Sequence, residues 1–349
     1  MTQVVDKLAD LTAHRDREAL DVNLAGVLKD LLRPESVAIH RCVGDEADQR
    51  WITSARLGLQ DQAAASDPAW TPLESLPRLA QFPTRVQALR LQQVVVTPSG
   101  ALSLAVFPLS TDHAVVGVLE LLTRQTPDTG DLRQVGSILR VFRNFQSLLD
   151  YSERDTLTGL LNRTTFDSAF NRLAGAGALP LPGADPGCVG AGQRSLPTAP
   201  LPHFIGVIDI DHFKRVNDGF GHLIGDEVLL LLSRLMRSVF RYHDRLYRFG
   251  GEEFVVLMRC RNDDEAGAAL QRLCRAVKAF AFPQVGSISV SVGYAEVLPD
   301  DTPSRAFDRA DRAVYWAKHH GRDQVCSFAD LSARGELVDD AKTGDVELF

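Results

Sequence analysis

Hydrophobic positions change period along this chain of 349 residues, and each change marks a different kind of element. Between about residue 15 and residue 128 they fall in short runs: Val37-Ala38-Ile39-His40, Trp51-Ile52-Thr53, Gln93-Val94-Val95-Val96, Leu102 to Phe107 and Val115 to Leu121. Alternation of this kind predicts strands of an antiparallel sheet. A stretch rich in Ala, Pro and Leu separates the early runs from the later ones. From Asp131 to Tyr151 the period becomes helical, with Leu132, Val135, Leu139, Phe142, Phe145 and Leu149 three and four apart after a Pro127-Asp128-Thr129-Gly130 start. Such a stripe either packs on its own domain or joins two chains in a short parallel coiled coil.

Beyond residue 155 the pattern shifts again. His203-Phe204-Ile205-Gly206-Val207-Ile208 is a near-continuous apolar run of strand length, ending in Asp209-Ile210-Asp211. Two more strand-like runs, Arg245 to Phe249 and Phe254 to Met258, flank Gly250-Gly251-Glu252-Glu253 and read as a hairpin. Between Ala174 and Pro202 the chain is rich in Gly, Ala and Pro, a composition that cannot bury a core and predicts a loop without chemistry of its own. The acidic segment after Asp330 reads as a frayed tail.

Composition narrows the class. The length suggests two domains, and 45% hydrophobic with 24% charged residues is ordinary for a globular protein. No apolar run approaches the ~18 residues of a membrane span. Met1-Thr2-Gln3-Val4 does not open a signal peptide, so a cytoplasmic protein without membrane insertion is expected. A net charge of -7 argues against nucleic acid as a partner. Cys42, Cys188, Cys260, Cys274 and Cys326 form no Cys-x-x-Cys pair, which speaks against disulfides and structural zinc. His14, His40 and His113 lack metal-ligand spacing and read as surface or satisfied histidines.

The candidate chemistry lies in the carboxylates. Two acids at a glycine hairpin repel one another unless a cation meets them, and a divalent metal carrying a polyphosphate would do so. A buried strand ending in Asp209 holds a further carboxylate at a sheet rim, where metals are commonly bound. A plain turn at Asp209 would not account for Lys214, Asn217 and Asp218 following it.

Asp155-Thr156-Leu157-Thr158-Gly159-Leu160-Leu161-Asn162-Arg163, the Asp209 block, the Gly250 block and Ala317-Lys318 with Gly321-Arg322 together resemble the GGDEF domain of diguanylate cyclases, with Glu252 where Asp is usual. The resemblance spans roughly residues 150 to 330. It implies a nucleotidyl-cyclase-like, palm-like α/β domain that condenses two GTP into cyclic di-GMP and two pyrophosphates as a homodimer. By the same resemblance Asp209, the Ile210 carbonyl and Glu252 hold two Mg²⁺, with Mn²⁺ as an alternative. Glu252, Glu253 and Lys214 are the catalytic set; Asn217, His222 and Asp226 read guanine; Lys214, Lys318 and Arg322 bind phosphate. Lys318 and Arg322 are four apart, which predicts one shared face at the end of a helix from Ser304 to His320. Arg241 and Asp244 match the Arg-x-x-Asp inhibitory product site, with Arg272 as a further partner, which implies feedback inhibition by cyclic di-GMP.

Ala105-Val106-Phe107-Pro108-Leu109 and Val116 to Leu121 are similar to the central strands of GAF domains. That half is either a sensor for an unknown small ligand or a dimerisation scaffold. The expected organisation is a GAF-like domain over 1–130, a coiled-coil-like linker helix over 131–154, a GGDEF domain over 155–330 and a tail over 331–349. Two-chain chemistry favours the coiled coil for the linker. A non-catalytic cyclic di-GMP receptor and a GAF-based signalling scaffold are the rival functions.

Overall fold

Alternation and helical stripe meet in the first of two compact units, Met1–Ser152 and Glu153–Phe349. The computed structural model describes residues 17–44, 48–68, 71–111, 115–176 and 201–337. His14, His113, Cys188, most of the Gly/Ala/Pro-rich segment and the chain beyond 337 lie outside the described residues. Among those described, no helix is long and apolar enough to cross a membrane.

Helix α1 (Arg17–Leu32) leads into strands β1 (Ser36–Val43) and β2 (Arg50–Gly58). Helix α2 (Pro83–Leu91), β3 (Val95–Ser99), β4 (Leu102–Ser110), β5 (Val115–Thr123) and helix α3 (Thr129–Glu153) follow. The strands form one antiparallel sheet in the order β2-β1-β5-β4-β3. Period two sorts the side chains. Val37, Ile39, Ala105, Phe107, Leu109, Leu119 and Leu121 face a core completed by α1 and α3. Val106 and Val118 face the opposite way, against Trp51 and Ala88 of α2. The run expected over Gln93 to Val96 starts later, at Val95, and α2 was not legible in the Ala/Pro/Leu-rich stretch. Its apolar positions are too few to show a period, but Pro83 at its first turn is a fitting start.

The stripe on α3, read from the sequence as a coiled-coil seam, packs within its own unit. Val135, Ile138, Phe142 and Leu149 are buried in the core of their own unit, and Leu132, Leu139 and Phe145 pack against it. Each buried side chain contributes roughly 1.5–3 kcal/mol, so the stripe is committed to the sheet and does not remain as a free seam.

The second unit places β6 (Leu161–Asn162), α4 (Arg163–Ala176), β7 (His203–Ile210), α5 (Phe213–Phe220) and α6 (His222–Val239) in order. Then come β8 (Arg245–Gly250), β9 (Glu253–Arg259), α7 (Asp263–Ala279), β10 (Val290–Glu296), α8 (Pro303–His319), β11 (Val325–Ser327) and α9 (Phe328–Ala333). The sheet order is β11-β10-β7-β9-β8-β6, with an antiparallel centre and a parallel pair at each edge. Ile208, Ile210, Phe254 and Val256 pack under Val228, Leu232 and Leu270 of α6 and α7. The alternate residues Ile205, Val207, Val255 and Leu257 pack under α4 and α8. Helix α9 carries regular structure past residue 330, with Leu331 buried.

Candidate active site

Parity decides which carboxylates meet. Asp209, next to last on β7, lies on the same face as Val207, the α8 side, and its Cα is paired directly with Glu253 of β9. The hairpin is tight: Gly250 pairs with Glu253, and Gly250 and Gly251 adopt φ of 144° and 50°, values open to glycine at little cost. Glu252 therefore sits in the turn, out of strand register, while Glu253 stands opposite Asp209. Burial raises the pKa of Glu252, and the neighbouring Asp209 raises it further. Glu253 is raised in the same way, by burial and then by Asp209 and Asp311.

Asp209 itself is 5% exposed. Burial raises its pKa, and the ammonium of Lys318, whose Nζ lies 2.7 Å from Oδ2, offsets this only in part. Its other oxygen, Oδ1, is buried with no hydrogen-bond partner among the described residues. An orphaned carboxylate oxygen beside a cation that occupies its twin is the donor chemistry a hard divalent metal requires. Among the described residues no three His, Cys, Asp or Glu side chains form a ready-made metal cage. A Mg²⁺ site shared with substrate phosphates needs only one or two protein carboxylates.

Several residues that position this rim carry no role in the sequence reading. Asp155 accepts from the Thr158 N–H at 2.8 Å and the Thr158 hydroxyl at 2.7 Å, and from Arg248 Nη1 at 3.0 Å. Arg248 in turn donates to the Gly251 carbonyl from Nη2 at 2.8 Å and Nε at 3.1 Å. One arginine thus ties the start of the domain to the turn that carries Glu252. Asp211, also buried, accepts from the Ser289 hydroxyl at 2.6 Å, the Ser291 hydroxyl at 2.7 Å and the Asp323 N–H at 3.1 Å, fixing the loop after α8. Asp311 lies two turns before Lys318 on α8, a spacing that could have revealed it. Burial raises its pKa, and Lys318 opposes the rise.

That loop corrects one expectation. Helix α8 ends at His319, and Arg322 adopts a left-handed φ of 60° outside it, so Lys318 and Arg322 do not share a helical face. Gly321, with φ of 109°, is the cause, and the Gln324 amide caps the freed carbonyls of Ala317 and His320. Lys318 reaches the carboxylates and Arg322 is exposed.

At the corner of α5 and α6, a Cβ on Gly225 would lie 2.0 Å from the Asn217 amide oxygen. The glycine lets Asn217 reach the turn beside Asp226. His222, Asp226 and Lys214 are exposed around it, and so are two apolar side chains, Phe220 at 48% and Leu223 at 81%.

Arg241 and Asp244 close a turn of their own. The Arg241 N–H donates to Asp244 Oδ2 at 2.9 Å, and Arg241 Nη2 reaches Glu265 Oε1 of α7 at 3.1 Å. Burial pushes Asp244 up to about 6, against the pull of Arg241 and Arg272, so the three expected residues are neighbours. Glu265, which the sequence did not single out, is held down to about 2, chiefly by the Arg261 N–H and by the guanidinium groups of Arg261 and Arg241.

Residues 196–324 match the family described as Diguanylate cyclase, GGDEF domain. Diguanylate cyclase DgcZ of Escherichia coli K12 is 35% identical over 182 residues, 51% of this chain and 54% of that protein. Diguanylate cyclase DgcP of Pseudomonas aeruginosa PAO1 is 43% identical over 124 residues, 35% of this chain and 18% of that protein. The crystal structure of the coiled coil and GGDEF domain of DgcB from Caulobacter crescentus in complex with c-di-GMP covers 56% of this chain and 96% of that one, at 25% identity and a TM-score of 0.46. The chain spans about half the length of the first relative and a smaller share of the second.

Proposed function

We propose that this chain, whose residues 196–324 are a GGDEF domain, is a diguanylate cyclase. The 3′-hydroxyl of one GTP attacks the α-phosphorus of a second; a P–O bond forms, the α–β bridge breaks and pyrophosphate leaves. Repeating this in the other direction closes the ring of cyclic di-GMP. Each protomer binds one GTP, so the reaction needs two copies of this chain face to face.

The observation that carries the reading is Asp209, with one buried oxygen unpartnered and the other on Lys318, set opposite the Glu252-Glu253 hairpin. Asp209, the Ile210 carbonyl and Glu252 would hold Mg²⁺ or Mn²⁺, two ions per site. Bound there, Mg²⁺ or Mn²⁺ would neutralise charge on the triphosphate as pyrophosphate departs. Lys318 would turn from Asp209 to the phosphates, joined by Lys214 and Arg322. Asn217 and Asp226 offer an amide and a carboxylate to guanine, complementary to its carbonyl and to its N1–H and N2–H, with His222 beside them. Exposed Phe220 and Leu223 supply apolar surface at the same corner. Raised pKa values suit Glu252 and Glu253 to accept the hydroxyl proton. Arg241, Asp244 and Arg272 would bind the product and restrain synthesis.

Incubation with GTP and Mg²⁺, followed by separation of the nucleotides, tests this. Cyclic di-GMP should accumulate with the native protein and not with Asp209→Asn. Tight binding of cyclic di-GMP without synthesis would make the protein a receptor instead.

A further inference from the structure

We infer that the N-terminal unit binds a small organic anion with an apolar body, in a cleft between helix α3 and strand β4. The cleft has a volume of about 290 Å³, suited to a ligand smaller than a nucleotide. Its floor is Phe107 and Leu109 of β4, and one wall is a row on α3: Gly136, Leu139, Arg140, Arg143 and Gln146. These positions are three and four apart, along the flank of the stripe that packs on the sheet.

Three observations make this a built site. Gln146 lines the cleft, and its amide can both donate to and accept from a bound ligand. A Cβ on Gly136 would meet no atom within 4 Å, so the space beside this position is open. Arg140 and Arg143 stand at the mouth, and among the described residues no acid lines the cleft. Two guanidinium groups beside an apolar floor, with one amide on the wall, select a carboxylate or phosphate carried on an aromatic or aliphatic body. The helix that forms the wall continues to Glu153, two residues before Asp155. Occupancy of the cleft therefore bears on the element that enters the GGDEF-containing unit. The binding itself does not depend on the cyclase reading.

The test is calorimetric titration of the full chain with phenylacetate, indole-3-acetate and phenyl phosphate, with neutral benzyl alcohol as control. At least one anion should bind saturably, with roughly tenfold preference over the alcohol. Gly136→Leu, which fills the cleft, should abolish binding, and Arg143→Ala should weaken it by roughly tenfold. Gln146→Leu, which keeps the volume and removes the amide, should weaken it while leaving thermal unfolding unchanged. The inference is overturned if none of the anions binds saturably, or if binding survives in Gly136→Leu. It is equally overturned if Gly136→Leu alters sedimentation while no anion binds, since the cleft would then be a surface between copies of the chain.

Discussion

Two carboxylates, a mostly buried Glu120 and a buried Asp209, one in each unit, face opposite fates. Glu120 of β5 accepts from Arg85 Nε at 2.7 Å and Nη2 at 3.0 Å, and lies 3.2 Å from His40 Nε2. Burial would raise its pKa, but its bonds to His40 and Arg85 outweigh that and hold it at about 2. His40 completes the set through Thr53 at 3.2 Å from Nδ1, and Arg85 lies 3.9 Å over the Phe82 ring. Asp209 has the burial without the partners: one ammonium, one orphaned oxygen and a pKa pushed up. A carboxylate that the fold satisfies is part of the scaffold; one that it leaves charged and unsatisfied is reserved for something the fold does not contain.

Replacing each acid by its amide separates the two roles most sharply. Asp209→Asn should lower cyclase turnover by about 10³-fold, the scale of losing a principal electrostatic group, while the urea midpoint stays level or rises. Glu120→Gln should do the reverse. It leaves Arg85 buried against a neutral group and should cost roughly 3–5 kcal/mol of stability, with turnover per folded molecule unchanged. If the two variants behave alike in both assays, the contrast between the carboxylates fails.

Intermediate effects should come from residues that hold the rim without touching substrate. Arg248→Ala frees the Gly251 carbonyl and the turn that carries Glu252. We expect kcat to drop by about 10–100-fold with KM for GTP little changed, since positioning is lost and binding is not. Gly225→Ala should act the other way. Its methyl would displace the Asn217 amide, whose side chain can move, so KM should rise by about tenfold while kcat and stability hold. Steady-state kinetics of the two variants distinguish these outcomes.

The smallest expected effect is a pH dependence. Asp244 has a folded pKa of about 6 against an ordinary 3.8, because burial disfavours its charge. Its protonated form is the one the fold tolerates better. Its contribution to stability is therefore complete below pH 3.8 and is lost as the pH rises through about 6. Product binding should run in the opposite sense, because accepting from guanine N–H groups needs the carboxylate. Inhibition by cyclic di-GMP should weaken several-fold between about pH 7.5 and 5.5, and Asp244→Asn should remove that dependence along with most of the inhibition. Inhibition that is flat with pH in the native protein would detach Asp244 from the product.

Much of the site could be read in order along the chain because its parts lie on short local motifs. Asp209 at a strand end, the glycine hairpin and Arg241 near Asp244 all occupy contiguous stretches. The positioning residues were harder. Asp155 and Arg248 are 93 positions apart, and Asp211 meets Ser291 across 80. Nothing local marks such pairs. The face of Arg322 was misjudged for a local reason: four-residue spacing implies a shared face only while the helix lasts, and Gly321 ends it.

Sequence alone determined the periods of the main strands and of the α3 stripe and the inventory of acids and cations, because period and residue chemistry are properties of short segments. The tertiary structure decided how each was used. It turned the stripe of α3 onto its own sheet, set Glu253 rather than Glu252 opposite Asp209, gave Glu120 three bonds and left Asp209 with one. Burial and partner count arise only when distant segments pack, and these fix whether a buried charge is scaffold or site.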